Sequence, residues 1–283
     1  MRNVILAESA GFCFGVKRAV EKSLEIQETY GKKIYTLGPL IHNNDVVNYL
    51  KENNIFSIEL DDIDSLNEGD IIVIRSHGVP EETIELLNKK NLIVIDATCP
   101  FVTNIQKKVR KYSDKGYNIV ILGDKSHPEV IGINGWCNNS AITTLNGEFD
   151  IEVPKKVCVV SQTTEKESNW KKTISNLSFM TKELLAFNTI CSATEVRQKS
   201  VLELSKNVDA MIVIGGKNSS NTTKLYQIAK EHCENTIHVE NSNDLPKNYI
   251  ENANFKNIGI TAGASTPDWI IEEVMAIMKN GLK

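Results

Sequence analysis

Short apolar runs rich in β-branched residues recur along the chain, and they restrict its fold more than any other feature. Each run is followed by turn residues and lacks polar alternation, which is typical of strands buried on both faces of a parallel sheet. We predict strands at residues 4–7, 34–37, 71–74, 92–95, 119–122, 157–160, 211–214 and 258–260. Segments with helical periodicity separate them, and helices are predicted over residues 16–30, 81–89, 222–233 and 269–278. This alternation predicts an α/β chain built from parallel βα units.

Three of the six cysteines stand at matched points of this pattern. They are 86 and 92 residues apart, and each lies at or just beyond a strand-like run: Cys13, Cys99 and Cys191. Cys137, Cys158 and Cys233 share no such offset, and we interpret them as structural. Cys158, for example, lies inside an apolar strand, where a small buried side chain is expected. The spacing indicates an internal repeat too long for a solenoid unit and suited to a small αβα lobe.

Two polar turns follow each of these cysteines at similar offsets. The first turn comes 29, 28 and 28 residues later, at His42, His127 and Ser219. The second comes 64, 64 and 74 residues later, at His77, Thr163 and Ser265. Ligand-binding residues collect beyond the carboxyl ends of parallel strands. We therefore predict three αβα lobes with small, mostly parallel sheets in a pseudo-threefold, cloverleaf arrangement, with the thiols and polar turns facing a common centre.

Three converging thiols would form a metal site. Structural zinc usually has four protein ligands at short spacings such as Cys-x-x-Cys, and no such pair occurs in the sequence. Three thiolates fit a cubane iron–sulfur cluster in which one iron has no protein ligand. That iron would be a Lewis acid open to substrate, and the cluster could also pass electrons. A catalytic zinc held by three thiolates is the alternative that spacing leaves open.

Hydrogen-bond donors dominate the polar turns and indicate the kind of ligand. The candidates are His42, His77, His127, Thr163, Ser219, Ser220, Asn221 and Ser265. Several precede predicted helices, whose free N–H groups and positive dipole ends bind phosphate oxygens. Residues 216–223 are glycine-led and rich in hydroxyls, as in an anion-binding nest, although they lack the spacing of a nucleotide P-loop. Helix capping is the alternative role for such residues.

One acidic residue lies in these turns. Glu129 follows His127 and Pro128 in the first polar turn of the second repeat. A proton donor at this point would suit chemistry that expels hydroxide as water. A glutamate favoured by the dipole of a helix first turn is the structural alternative.

Composition excludes several classes of protein. The net charge is −4 and no basic run is longer than a lysine pair, which argues against nucleic-acid binding. No apolar run approaches the ~20 residues of a membrane-spanning helix. Six cysteines in 283 residues are too few for a disulfide scaffold, which indicates a reducing compartment. We expect a cytoplasmic protein that binds neither membrane nor nucleic acid.

Nine segments resemble one enzyme family, in order along nearly the whole chain. They are residues 10–19, 38–43, 76–79, 96–102, 127–130, 161–164, 190–194 with 197–198, 217–221, and 261–265 with 267–268. On these segments the chain is similar to the 4-hydroxy-3-methylbut-2-enyl diphosphate reductases, the last enzymes of the non-mevalonate isoprenoid pathway.

The resemblance implies an oxygen-sensitive 4Fe–4S cluster held by Cys13, Cys99 and Cys191. It implies reduction of an allylic alcohol diphosphate to isopentenyl and dimethylallyl diphosphates, with two electrons, two protons and loss of water. Residues implied to bind the diphosphate are His42, His77, Ser219, Ser220, Asn221 and Ser265. His127 would assist there and in proton relay. Glu129 would be the proton donor, and Thr163 would hold the substrate hydroxyl.

The resemblance also implies a three-lobed monomer that receives electrons from a ferredoxin or a flavodoxin. We expect the first lobe at residues 14–98 and the second at residues 99–187. The third would combine residues 1–13 with residues 188–283.

Two other functions remain open on the residues alone. A hydro-lyase would use the same open iron to remove water without external electrons. An iron–sulfur sensor or carrier would need all its irons ligated and no dedicated anion site, so the hydroxyl-rich turns count against it.

Overall fold

The structure is a computed structural model that describes residues 2–280, and in that range strands and helices alternate almost throughout. The strands are β1 (Asn3–Leu6), β2 (Ile34–Leu37), β3 (Ile55–Ile58), β4 (Ile71–Ile74), β5 (Ile93–Asp96), β6 (Asn118–Leu122), β7 (Ile142–Thr144), β8 (Lys156–Ser161), β9 (Glu183–Ala186), β10 (Ala210–Ile214), β11 (Thr236–Val239) and β12 (Asn257–Ala262). The α-helices are α1 (Phe14–Tyr30), α2 (Asn44–Glu52), α3 (Glu81–Lys89), α4 (Pro100–Ser113), α5 (Pro128–Asn134), α6 (Glu167–Met180), α7 (Ser192–Ser205), α8 (Ser220–His232), α9 (Lys247–Ile250) and α10 (Asp268–Asn280). Short 3₁₀ turns cover Leu60–Ser65, Gly135–Cys137 and Ser242–Asp244.

The strands form three four-stranded sheets, and every strand pairing among the described residues is parallel. The strand orders are β3-β2-β4-β5, β7-β6-β8-β9 and β11-β10-β12-β1. All three orders follow one topology, in which the first and third strands of each unit are central. In the last sheet the amino-terminal strand β1 takes the position that the fourth strand has in the other two. The predicted α/β class with three small parallel sheets is confirmed.

All eight predicted strands are present, and the four predicted helices are present with slightly shifted ends. Four strands were not predicted, β3, β7, β9 and β11, and each of them is an edge strand. None of the four is a continuous apolar run: β9, for example, reads Glu-Leu-Leu-Ala, with both ends exposed. Cys137 lies in a 3₁₀ turn.

Side chains alternate between two apolar layers along the central strands. In β10, Ile212 and Ile214 pack with residues of α10, whereas Met211 and Val213 pack with residues of α7 and α8. In β6, Ile119 and Ile121 pack on one side and Val120 and Leu122 on the other. Helices therefore cover both faces of these sheets, which explains why the strands carry no polar alternation.

The chain divides into two compact units. One consists of Met1–Val16, Ile41–Val46 and Ser192–Lys283 and contains the sheet with β1, β10, β11 and β12. The other consists of Lys17–Leu40 and Val47–Cys191 and contains the other two sheets. We call these the one-sheet unit and the two-sheet unit. The lobe boundaries expected at residues 14–98, 99–187, and 1–13 with 188–283 remain a prediction.

None of the helices between residues 2 and 280 has both the length and the apolar character that crossing a membrane requires.

Candidate active site

The three matched cysteines occupy equivalent positions in the three sheets. Each follows the fourth strand of its sheet and directly precedes a helix: Cys13 before α1, Cys99 before α4 and Cys191 before α7. Their backbone N–H groups donate to the second polar turn of the same sheet. The acceptors are the carbonyl oxygens of Ala264 for Cys13 at 3.1 Å, Ser76 for Cys99 at 2.9 Å and Thr163 for Cys191 at 3.0 Å. The repeat that the cysteine spacing predicts is therefore present in the structure as the same backbone hydrogen bond in each of the three sheets.

The six cysteines fall into two groups by burial. Cys13, Cys99 and Cys191 are half-buried, and none of the six is in a disulfide. Cys137, Cys158 and Cys233 are buried. Burial raises the pKa of the Cys158 thiol to about 12 and also raises the pKa of Cys137, so these two thiols stay protonated and poorly reactive.

The predicted ligand residues follow the two central strands of each sheet. The first polar turns come after β2, β6 and β10, and the second come after β4, β8 and β12. In an open parallel sheet the carboxyl ends of two such neighbouring strands border the crevice where ligands bind. The strand order therefore accounts for the regular offsets between each cysteine and its two turns.

Each of the first polar turns ends in a side-chain helix cap. Asn43 Oδ1 accepts the Val46 N–H at 3.1 Å. His127 Nδ1 accepts the Glu129 N–H at 3.1 Å, and Ser219 Oγ accepts the Thr222 N–H at 3.4 Å. Capping, the alternative role considered for these turns, therefore holds for Ser219 and His127.

Within the one-sheet unit the structure brings His42, Ser265 and the turn of residues 216–221 together. The hydroxyl of Ser265 donates to the carbonyl oxygen of His42 at 3.4 Å. A Cβ atom on Gly216 would lie 2.3 Å from that same carbonyl oxygen, so only glycine can lie this close to the His42 backbone. The Ser219 N–H donates to the Gly216 carbonyl at 3.0 Å, which shapes the turn before Ser220 begins α8.

Asn221 is the least satisfied polar side chain in this group. It is 5% exposed, and its amide nitrogen and amide oxygen have no hydrogen-bond partner among the described residues. It lies in the first turn of α8, whose amino-terminal N–H groups and dipole favour an anion. A buried amide without partners costs ~1–3 kcal/mol, which a bound polar ligand would recover.

Within the two-sheet unit Glu129 and Thr163 are joined by two hydrogen bonds. Glu129 is 3% exposed. Its Oε1 accepts the Thr163 N–H at 2.6 Å, and its Oε2 accepts the Thr163 hydroxyl at 2.7 Å. Because the hydroxyl oxygen of Thr163 donates its proton to Glu129, its lone pairs remain able to accept a proton or a hydrogen bond. The carboxyl group and the hydroxyl together can relay a proton.

Two histidines lie next to this pair. The rings of His77 and His127 are 5.3 Å apart between centroids and nearly perpendicular. Helix α5, which carries Glu129, packs against the turn of His77: a Cβ on Gly132 would lie 3.2 Å from the carbonyl oxygen of Gly78. The second turn of one sheet and the first turn of the other are thus in contact inside the two-sheet unit.

Three further polar residues, none of them predicted to bind a ligand, support these turns. Arg197 donates to the carbonyl oxygen of Gly11 at 2.7 Å and to that of Ala193 at 3.0 Å, which holds the loop before Cys13. Gln162 is fully buried and accepts the Asp124 N–H at 3.3 Å. Burial lowers the pKa of the Arg75 guanidinium, and Glu59 partly opposes this effect. The Arg75 side chain lies against Gly38.

The chain is similar to known proteins over nearly its whole length. Residues 4–279 match the family described as LytB protein. A relative from Clostridium perfringens (strain 13 / Type A), named 4-hydroxy-3-methylbut-2-enyl diphosphate reductase, is 64% identical over 279 residues, which are 98% of this chain and 99% of the relative.

Two solved structures are similar over 99% of this chain. One is the structure of (E)-4-hydroxy-3-methyl-but-2-enyl diphosphate reductase, described as the terminal enzyme of the non-mevalonate pathway, with 45% identity, a TM-score of 0.72 and 99% of that chain covered. The other is the E-1-hydroxy-2-methyl-but-2-enyl-4-diphosphate reductase from Plasmodium falciparum, with 27% identity, a TM-score of 0.91 and 89% of that chain covered. The chain belongs to the LytB protein family.

Proposed function

We propose that this chain is an oxidoreductase that converts 4-hydroxy-3-methylbut-2-enyl diphosphate to isopentenyl and dimethylallyl diphosphates. The observation that carries the proposal is the 64% identity to a curated reductase of this substrate over 98% of the chain. In the reaction two electrons and two protons enter, the bond between carbon and the hydroxyl oxygen breaks, and the oxygen leaves as water.

Cys13, Cys99 and Cys191 are proposed to hold an iron–sulfur cluster of the 4Fe–4S type. Their soft thiol donors suit iron–sulfur ligation, and each stands half-buried before a helix at the equivalent place in its sheet. Three ligands leave one iron of a cubane without a protein ligand. When bound, such a cluster would supply electrons and a Lewis-acidic iron. A catalytic zinc would supply the Lewis acid but no electrons, so it does not suit a reduction.

The diphosphate is proposed to bind through the neutral donors of the polar turns. Those in the one-sheet unit are His42, Ser219, Ser220, Asn221 and Ser265, and those in the two-sheet unit are His77 and His127. Support comes from the unpartnered amide of buried Asn221 and from the amino terminus of α8 beside it. Local dipoles can hold an anion even in a chain whose net charge is −4.

Glu129 is proposed to be the proton donor, with Thr163 holding the substrate hydroxyl and His127 assisting the relay. Thr163 Oγ lies 2.7 Å from Glu129 Oε2. With the carboxyl group protonated this bond would run the other way: the carboxyl O–H would donate to the Thr163 oxygen, and the hydroxyl would pass its own proton to the departing oxygen. The bond from the Glu129 N–H to His127 Nδ1 fixes the imidazole at this point. Burial of Glu129 keeps bulk water from competing for the proton.

We propose a ferredoxin or a flavodoxin as the electron donor, a monomeric state and a cytoplasmic location. The substrate is a small diphosphate, and no nucleic-acid or membrane partner is proposed.

An anaerobic assay with the allylic diphosphate tests the proposed function. We expect product formation with reduced methyl viologen as the electron source and none without a reductant, because each turnover consumes two electrons. Product formation without any reductant would contradict the reductase and favour a hydro-lyase acting through the same metal centre.

Asn221→Ala is expected to raise KM for the allylic diphosphate by about 10- to 100-fold, because a bond from a buried amide to a charged group contributes ~1.5–3 kcal/mol. Inorganic pyrophosphate should inhibit the variant correspondingly less. The matched control is Asn218→Ala, since Asn218 lies in the same turn but is exposed. Equal effects of the two substitutions on KM would contradict a direct contact between Asn221 and the diphosphate.

A further inference from the structure

Helix α4 of the two-sheet unit is unusually basic for this protein. Its 14 residues include Lys107, Lys108, Arg110 and Lys111 and no acidic residue, although the whole chain has a net charge of −4. Lys107, Lys111 and Lys115 follow one another at helical spacing, so the first two lie on one face of α4 and the third continues that row just beyond its end. All three side chains are exposed.

A cluster of three aromatic rings lies beside this basic row. The ring of Tyr112 is 5.6 Å from that of Tyr117 and 5.2 Å from that of Phe187, measured between centroids. All three rings are half-buried, so each keeps part of its surface in solvent. Partly exposed aromatic rings are favoured contact residues at protein interfaces, because they bury much area with little loss of side-chain freedom.

Lysine ammonium groups surround these rings. Lys111 and Lys115 lie 5.5 and 5.7 Å from the centroid of the Tyr112 ring. Lys108 lies 5.0 Å from the Phe187 ring, and Lys156 lies 4.3 Å from the Tyr117 ring. We call this surface the lysine–aromatic patch: Lys107, Lys108, Lys111, Lys115 and Lys156 with Tyr112, Tyr117 and Phe187.

Few acidic groups offset this charge. Glu183 forms an ion pair with Lys156 at 3.8 Å and accepts a hydrogen bond from the Tyr117 hydroxyl. Asp114 is exposed between Lys111 and Lys115 in sequence. The patch therefore keeps a positive excess, and a positive excess on an acidic protein attracts a partner with a negative surface.

The patch is close to two of the proposed cluster ligands along the chain. Lys108 follows Cys99 by nine residues, nearly all of them in one helix, which corresponds to roughly 14 Å along the axis. Phe187 precedes Cys191 by four residues, which span at most about 14 Å. A partner on this surface would stand near the metal centre without having to enter the substrate site.

We propose that the lysine–aromatic patch is the docking surface for an acidic electron-carrier protein. The inference rests on the proposed function, whose reaction consumes two electrons that must come from outside the chain. A one-electron carrier would dock twice per turnover and be oxidised by one electron each time. The two electrons, with two protons, balance the loss of the substrate hydroxyl as water.

Charge reversal in the variant K107E/K111E/K115E tests the proposal. Turnover is measured anaerobically with two electron sources, a reduced acidic ferredoxin and reduced methyl viologen. At low ionic strength we expect KM for the ferredoxin to rise by about 10- to 100-fold, the scale of electrostatic steering. Turnover with the viologen should be unchanged, because this small reductant needs no docking surface. Added salt should reduce the difference in KM for the ferredoxin between the wild type and the variant.

Two further variants serve as controls for K107E/K111E/K115E. K107Q/K111Q/K115Q removes charge without placing acidic groups near the end of a helix, and a smaller rise in KM is expected. K206E/K247E/K256E changes the net charge by the same amount at exposed lysines of the one-sheet unit, and KM should stay near the wild-type value. An unchanged KM for the ferredoxin in K107E/K111E/K115E, or an equal rise in the control, would overturn the proposal.

Two other results would contradict the proposed function and the choice of partner, respectively. If the wild type does not turn over with the viologen, the proposed function itself has failed, whatever the patch does. If the patch variants lose binding to a single-stranded RNA probe while the ferredoxin KM is unchanged, the surface serves a nucleic acid and the electron-carrier proposal is wrong.

Discussion

Glu129→Gln is expected to lower kcat by about 10²- to 10⁴-fold, the usual contribution of a positioned general acid. Binding of the allylic diphosphate should be retained, because glutamine has the same shape and can keep both contacts with Thr163. Its amide oxygen can accept the Thr163 N–H, and its NH₂ group can donate to the Thr163 hydroxyl, which then accepts. The variant cannot supply the proton. Anaerobic single-turnover kinetics and calorimetric binding measure the two effects separately.

The control for Glu129→Gln is Glu165→Gln. Glu165 is also a buried glutamate, 2% exposed, and it accepts hydrogen bonds from the Lys166 N–H and the Asn169 side chain. Glu165→Gln also removes a buried carboxylate, two residues from Thr163. Its kcat should nevertheless stay near the wild-type value. If Glu129→Gln abolishes binding as well as turnover, Glu129 positions the substrate and the assignment as proton donor is wrong.

The central strands could be predicted from the sequence because both of their faces are buried. In β10, and in β6 after Asn118, successive side chains enter two different apolar layers, so every residue of the run is apolar and the run is easy to recognise. The edge strands β7 and β11 read Ile-Thr-Thr and Thr-Ile-His-Val. Their pairing depends on the neighbouring strand and not on their own sequence, so hydrophobic pattern could not identify them.

The cysteines and polar turns could be predicted because the chain repeats one topology three times. A repeat fixes offsets in sequence, and offsets can be read without a structure. Contacts between distant residues carry no such signal. Glu129 and Thr163 are 34 residues apart, and Arg197 lies 186 residues from Gly11, whose carbonyl it binds. Folding alone brings these groups within hydrogen-bond distance, and the same holds for the burial that leaves Asn221 without a partner.

The lysine–aromatic patch was missed for a related reason. No run of basic residues in the sequence is longer than two, so no continuous basic segment marks this surface. On a helix, residues three or four apart are the neighbours, so Lys107 and Lys111 act together although other residues separate them. Lys156 begins β8 and Phe187 directly follows β9, both far along the chain from α4, and they join the patch only in the folded protein. Net charge and run length are therefore poor guides to local charge.

Replacement of Cys13, Cys99 or Cys191 by serine is expected to remove the broad visible absorption of the anaerobically purified protein and to lower its iron content. Loss of one thiolate of three should lower turnover by about 100-fold or more, beyond the 10- to 100-fold typical of changes to groups that only support a ligand. Counting iron and acid-labile sulfide checks the cofactor directly. The wild type should contain the two in equal amounts, whereas a zinc site would contain neither.

Cys158→Ser and Cys233→Ser are the matched controls, and both should keep the visible absorption and the iron. Cys158 is fully buried, so a hydroxyl there costs ~1–3 kcal/mol and should lower Tm without removing the cluster. Cys233 lies 3.9 Å from the Val208 carbonyl oxygen, which a serine hydroxyl can approach, so a smaller change in Tm is expected. Measuring Tm beside the absorption separates loss of folding from loss of ligation. The contrary result is that Cys158→Ser removes the visible absorption as strongly as Cys99→Ser does, at an unchanged Tm. The position of a cysteine directly before a helix would then not identify the cluster ligands, and the proposed cluster site would be wrong.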